Sequence, residues 1–98
     1  MKVEFSLEVE GDLEAVADYI AQDNPRRTVT FILEIYKEIK AVGRNPQHYR
    51  LRPEVGPDAR LARVGRYVIL FRITEDSVRI ERVVYGARDL PSVFHREQ

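Results

Sequence analysis

Thirteen of the sixteen basic residues are arginine, and nine of those (Arg50, Arg52, Arg60, Arg63, Arg66, Arg72, Arg79, Arg82 and Arg88) fall between residues 50 and 88. Arginine presents a planar fork of donors that matches phosphates and carboxylates and stacks on aromatic rings. Where strand alternation places several on one face, the surface suits phosphate. For any one arginine the plainer account is an exposed ion pair, with Glu54, Asp58, Glu75, Glu81 and Asp89 as available partners. A third reading is a sheet face that receives an acidic or amphipathic partner segment.

Other chemistries are less well served. The two histidines, His48 and His95, have no ligand spacing to each other or to a cysteine, so no metal site is expected. No cofactor is expected either. Ser6, Ser77 and Ser92 lie outside the glycine-framed settings that expose a nucleophilic hydroxyl, and no glycine-rich phosphate loop is present. Glu10, Glu14 and Asp18 recur at four-residue spacing along a helix surface, where a solvated face accounts for them better than acid–base work.

The equal numbers of acids and bases conceal a division. Residues 1–24 carry a net charge of −6, and residues 25–98 carry +6. Neutrality therefore does not exclude an anionic partner. A length of 98 residues allows one domain with one small core. The absence of cysteine excludes disulfides, thiol nucleophiles and thiolate zinc, and fits a reducing, cytoplasmic setting. No run of about 18 apolar residues occurs, and Met1-Lys2-Val3-Glu4 lacks an apolar signal core. Neither a membrane span nor secretion is expected.

These side chains need elements to position them. Val3, Phe5 and Leu7 alternate with polar neighbours, which predicts a short half-buried strand. The period then changes. Val9, Leu13, Val16, Ala17, Ile20 and Ala21 follow helical spacing as far as Asp23, with Ser6 as the expected N-cap. Asp23-Asn24-Pro25 stops that helix. Asn24 should cap a second one, with Pro25 at its first position, an apolar stripe of Val29, Ile32, Ile35, Tyr36 and Ile39, and Gly43 at its end. So short a linker predicts an antiparallel hairpin. Residues 44–59, with Pro46, Pro53, Gly56 and Pro57, read as a loop. Strands are predicted at Arg60–Val64, Arg66–Thr74 and Ser77–Tyr85, with Glu75-Asp76 as the last hairpin turn. Val68-Ile69-Leu70-Phe71 is apolar on both faces, as a central strand is. Gly86 to Gln98 reads as a turn with a short helical piece.

The order β-α-α-β-β-β predicts an α+β domain over residues 1–98. An N-terminal antiparallel helix hairpin should cover one face of a small, mainly antiparallel sheet. The other face should be more open, lined or rimmed by Arg66, Arg72, Arg79, Glu81 and Tyr85.

Asp12-Leu13, Ala17-Asp18-Tyr19-Ile20-Ala21, Asp23-Asn24-Pro25, Arg52-Pro53-Glu54-Val55-Gly56, Gly65-Arg66-Tyr67-Val68-Ile69 and Gly86-Ala87-Arg88-Asp89-Leu90 resemble the ParE branch of the RelE/ParE toxin superfamily. The ordered series, from Val3 to Phe94, carries the likeness. It implies the RelE/ParE toxin fold and a cytoplasmic toxin of a type II toxin–antitoxin module, neutralised by a cognate antitoxin protein. ParE-like members poison DNA gyrase, whereas RelE-like members cut messenger RNA in the ribosome, so fold alone cannot choose.

Two departures bear on that choice. RelE-type ribonucleases have an arginine after the tyrosine of a Gly-Tyr strand motif, and pairing that tyrosine with Tyr67 puts Val68 there. Their tails end on a tyrosine, and pairing the tails through Gly86-Ala87-Arg88 puts Phe94 in its place. Valine cannot stabilise a phosphorane, and phenylalanine cannot move a proton. The resemblance therefore favours a non-enzymatic gyrase poison, with Arg63, Arg66, Arg72, Arg82, Arg88 and Phe94 as candidate contacts for target or antitoxin. The alternative is a ribosome-dependent messenger RNA endonuclease. There Glu54, Arg63, Tyr85 and Arg88 would be the working set, helped by Arg50 and Arg52, although Tyr85 also reads as a strand-end aromatic covering the sheet. A third reading is a non-toxic module that only binds antitoxin. No direct DNA binding by the toxin alone is expected. The antitoxin segment should wrap hairpin and sheet, with acidic residues toward the basic side.

Overall fold

Pro25 divides the N-terminal half into two helices. In the computed structural model, which describes residues 1–95, β1 (Lys2–Phe5) leads to α1 (Val9–Asp23), and α2 (Pro25–Arg44) follows after a single residue. That residue, Asn24, accepts a hydrogen bond from the Arg27 backbone N–H at 3.2 Å and caps α2 as expected. A 3₁₀ turn (Pro46–His48) and an irregular loop lead to β2 (Arg60–Val64), β3 (Tyr67–Ile73), β4 (Ser77–Tyr85) and a terminal α3 (Leu90–His95).

The sheet order is β1-β4-β3-β2. β2, β3 and β4 form an antiparallel meander, and β1 lies parallel beside β4 with Lys2 opposite Ser77. Gly65 makes the tight turn between β2 and β3 at φ 57, a left-handed conformation in which a side chain would be strained. β3 is central, and Val68 through Phe71 are buried on both of its faces.

The helix hairpin covers one face. Val9, Val16, Phe31, Ile35, Ile39 and Val42 belong to one core with Ile69, Phe71, Val78, Ile80 and Val83 of the sheet. The opposite face is less open than predicted. Val55 and Ala59 of the loop, with Val93 and Phe94 of α3, form a second core with Leu61, Val68, Leu70 and Val84. A Cβ at Gly56 would overlap the Phe94 ring, so loop and tail meet at a residue without a side chain. Burying a ring like that of Phe94 stabilises by about 1.5–3 kcal/mol. Periodicity could not show this second layer, because its covering residues come from a proline-rich loop and a short tail.

Four further expectations change. Ser6 does not cap α1. It is buried, its N–H donates to Ile80 O at 2.9 Å, and its hydroxyl donates to Glu81 O at 2.6 Å. Phe5 and Leu7, expected inside, are 47% and 94% exposed, because the strand ends at Phe5 and the chain turns into α1. Gly43 lies within α2 and does not end it. A Cβ there would come within 2.7 Å of Val3 Cγ2, so the glycine permits close approach to β1. The buried stripe of α2 is Phe31, Ile35, Ile39 and Val42, while Val29 and Tyr36 are exposed. That helix has apolar residues on two faces, and spacing alone did not say which one meets the sheet. No helix among the described residues is long and apolar enough to cross a membrane.

Candidate functional site

Five of the nine arginines singled out from sequence are engaged within the chain: Arg52 with Glu54, Arg60 with the Tyr49 carbonyl, and three more on β3 and β4. Across the β3–β4 pair, Leu70 faces Arg82 and Phe71 faces Ile80, so Glu81 is the extra residue of a bulge. Its carboxylate is fully buried between Arg72 Nε at 2.8 Å and Arg79 Nε at 2.9 Å. Arg72 and Arg79 face each other across the strands, where two like charges repel, and Glu81 offsets that repulsion. Beside the bulge, Asp12 reaches from the first turn of α1. Its oxygens accept from Arg82 Nε and Nη2 at 2.8 Å each, and Oδ2 also accepts from the Val83 N–H at 2.9 Å. Arg82 and Asp12 are only 12% and 10% exposed, so this bidentate pair fastens α1 to β4.

Arg63, Arg66 and Arg88 differ. They are exposed and make no ion pair with any described residue. The fold gathers them at one corner. Gly86 N donates to Arg66 O at 2.8 Å and ties the β2–β3 turn to the end of β4. A Cβ on Gly86 would lie 3.4 Å from Arg63 Nη1, so that guanidinium rests beside the bare backbone. Val68 packs against the same glycine as part of the second core and supplies no charge. Phe94 does not reach this surface, for its ring is fully buried. Asp89 does not pair with Arg88; it accepts from Ser92 at 2.9 Å at the start of α3.

A groove of about 400 Å³ opens at this corner between α1 and the ends of β3 and β4. Tyr19, Tyr67 and Tyr85 line it, Val83 and Val84 contribute apolar surface, and Arg88 also borders it. Tyr67 stands edge-on to Tyr85 at 5.9 Å and to Phe31 at 5.6 Å. Burial, with Tyr19 and Tyr85 nearby, pushes the Tyr67 hydroxyl above its ordinary pKa. The cluster thus sets aromatic rings beside guanidinium groups that make no ion pair among the described residues. Three tyrosines from distant segments form no linear motif, and sequence reading singled out only Tyr85 among them as a candidate.

Glu54 stands elsewhere. It lies on the loop before β2, where Arg52 Nε contacts it at 2.6 Å and holds its carboxyl below the usual range. The hollow it lines is formed by residues 51–58 and includes neither Tyr85 nor Arg88. The structure therefore brings Arg63, Tyr85 and Arg88 to one corner and leaves Glu54 outside it. Among the described residues no cluster of three or more acidic, histidine or cysteine side chains could hold a metal ion. The side chain of His95 lies outside the described residues.

A second surface is apolar. Phe5, Leu7, Leu13, Ile32 and Tyr36 line a groove of about 670 Å³ along the helix hairpin, with Glu10 and Glu14 also lining it. Val29 and Leu33, 65% and 61% exposed, extend this surface along α2. Contiguous exposed apolar surface of this kind marks interaction sites.

Comparison with family models matches residues 3–90 to the ParE toxin of type II toxin–antitoxin systems, parDE. In fold the chain is similar to a solved structure of the chromosomal ParDE TA system from P. aeruginosa. The TM-score is 0.77 over 87% of this chain and 95% of the other, at 18% sequence identity. No curated protein matches.

Proposed function

The chain belongs to the ParE toxin family of type II toxin–antitoxin systems, and from that premise we propose that it is a cytoplasmic, non-enzymatic poison of DNA gyrase held inactive by a cognate antitoxin. The observation that carries the reading is the corner at Gly86, where Arg63, Arg66 and Arg88 are exposed without an ion-pair partner among the described residues. A target that brings carboxylates or phosphates there gains charge-assisted hydrogen bonds without breaking an internal pair. Supercoiling assays with purified gyrase test this. The toxin should inhibit the enzyme and accumulate cleaved DNA, and an Arg63→Ala/Arg88→Ala double variant should do neither. Absence of both effects in the wild-type chain would sink the reading.

The hairpin groove supports the antitoxin half of the proposal. An amphipathic antitoxin segment would cover Leu7, Leu13 and Tyr36. Because Glu10 and Glu14 border the groove, its flank there would be basic, unlike the acidic segment expected for the sheet side.

One observation favours a second reading. Tyr85 and Arg88 border the same groove, and Arg63 rests against the turn that follows, which is the placement an endoribonuclease would need. Tyr85 would then handle the proton and the arginines the phosphate. Mapping messenger RNA ends after induction decides it: growth arrest without new cuts in the ribosomal A site excludes it. Unimpaired growth on expression without antitoxin would leave only the binding module.

A further inference from the structure

We propose that the tyrosine groove binds an unpaired nucleobase of a single-stranded nucleic acid, with Arg88 on a flanking phosphate. The proposal rests on the reading of this corner as the target face, and it gives that face a ligand of its own. It also departs from the expectation of no DNA binding by the toxin alone, at one point: the ligand is a single strand, not a duplex.

The walls of the groove carry the argument. Tyr19 and Tyr85 are 61% and 41% exposed, so their rings are available to a ligand. Tyr67 is partly buried and fixed edge-on between Phe31 and Tyr85, which holds the cluster in place without help from a ligand. Val16, Val83 and Val84 line the same groove, so a flat apolar ring meets no unpaired charge from them. Asp12, the acid lining the groove, has both oxygens committed to Arg82 and the Val83 N–H. Every nucleobase has a π-face, so stacking on tyrosine tolerates any sequence. Arg88 then takes the phosphate next to that base.

Charge sets the direction of the strand. Asp23 follows Tyr19 by one helical turn on the same side of α1, so a phosphate backbone is repelled there. Toward Gly86 it meets Arg88. A duplex keeps its base faces stacked inside and cannot fill the groove. An acidic peptide would meet the arginines but has no use for the tyrosine faces.

The complete chain can be tested directly. It contains five tyrosines and no tryptophan, so its emission reports the tyrosines. A single-stranded oligothymidylate should quench that emission, and it should bind at least tenfold tighter than an abasic strand of equal length. Tyr85→Ala and Tyr19→Ala should each weaken binding about fivefold to a hundredfold, the loss of one stacked base. Arg88→Gln should lower the slope of log affinity against log salt by about 0.7, the loss of one phosphate contact on a single strand. A matching oligouridylate run in parallel identifies the natural source as whichever strand binds tighter, and both should exceed the abasic strand. Equal binding of the abasic strand, of duplex DNA or of polyglutamate would overturn the proposal. So would wild-type affinity in folded Tyr85→Ala, whose circular dichroism is checked first. Oligonucleotide binding without gyrase inhibition would fell the target assignment and leave this site standing; the reverse result would do the opposite.

Discussion

Arg72, Arg79 and Arg82 lie on the same sheet that carries Arg63 and is bordered by Arg66 and Arg88, yet only the first three are tied to carboxylates of their own chain. The partner, not the residue type, separates the two groups. Glu81 is two residues from Arg79, but Asp12 is seventy residues from Arg82 and arrives only when α1 docks. At the Gly86 corner no such acid arrives among the described residues, and the cations face outward beside aromatic rings. The seam between α1 and β4 therefore reads as architecture, and the corner as a place where charge waits for a ligand.

The contrast can be broken at several points. Asp12→Ala removes a largely buried carboxylate that accepts two bonds from Arg82 and one from the Val83 N–H, and should cost about 3–5 kcal/mol of stability, read from urea denaturation. Gyrase inhibition per folded molecule should stay unchanged. If it falls while stability holds, the seam belongs to the functional surface after all. Leu7→Asp, at a position 94% exposed, should leave folding intact and weaken antitoxin binding roughly thirtyfold or more, as loss of a hot spot worth about 2 kcal/mol does. Calorimetric titration measures it, and unchanged affinity would remove the hairpin groove from the antitoxin interface. Arg88→Gln should shift stability by no more than about 0.5 kcal/mol and lower gyrase inhibition about tenfold. A variant that unfolds instead would place Arg88 among the structural arginines. The smallest effect concerns Tyr49, pushed up to about 12 by burial and by its hydrogen bond to Glu38. The fold holds that proton more tightly than the unfolded chain does, so its contribution is complete below pH 10 and is lost as pH rises from 10 to about 12. Difference absorbance of tyrosinate during alkaline titration checks it, and Tyr49→Phe should remove one tyrosine from the late-ionising group, leaving Tyr67.

Much of the scaffold was legible because local rules decide it. Asn24-Pro25 marks a helix start wherever it occurs, and the bounds of β2 and β4 agree with Arg60–Val64 and Ser77–Tyr85. β3 is one residue shorter at each end than the predicted Arg66–Thr74, since Arg66 belongs to the turn. What escaped depends on meetings between distant segments. Phe94 and Gly56 fit together across a sheet face that alternation left empty. Ser6 reads as a cap in its own segment, but its hydroxyl is taken by Glu81 of β4. Phe5 and Leu7 read as core residues because alternation reports a face and not whether anything covers it. For the candidate site, Arg63, Arg66, Arg88 and Tyr85 were named from residue type, whereas Tyr19 and Tyr67 gained meaning only once three segments converged.

The parallel pairing of β1 with β4 also has a consequence for the order of events during synthesis. Lys2 waits for Ser77, and the Ser6 N–H waits for Ile80, before either finds its partner. A sheet closed by contacts so far apart in sequence cannot be completed until β4 has emerged. The apolar hairpin residues, from Leu7 to Tyr36, leave the ribosome before Tyr85 to Arg88. Yet the groove proposed for the antitoxin is lined by Phe5, Ser6 and Leu7, so it is completed by the same late arrival of β4 that builds the corner proposed for the target.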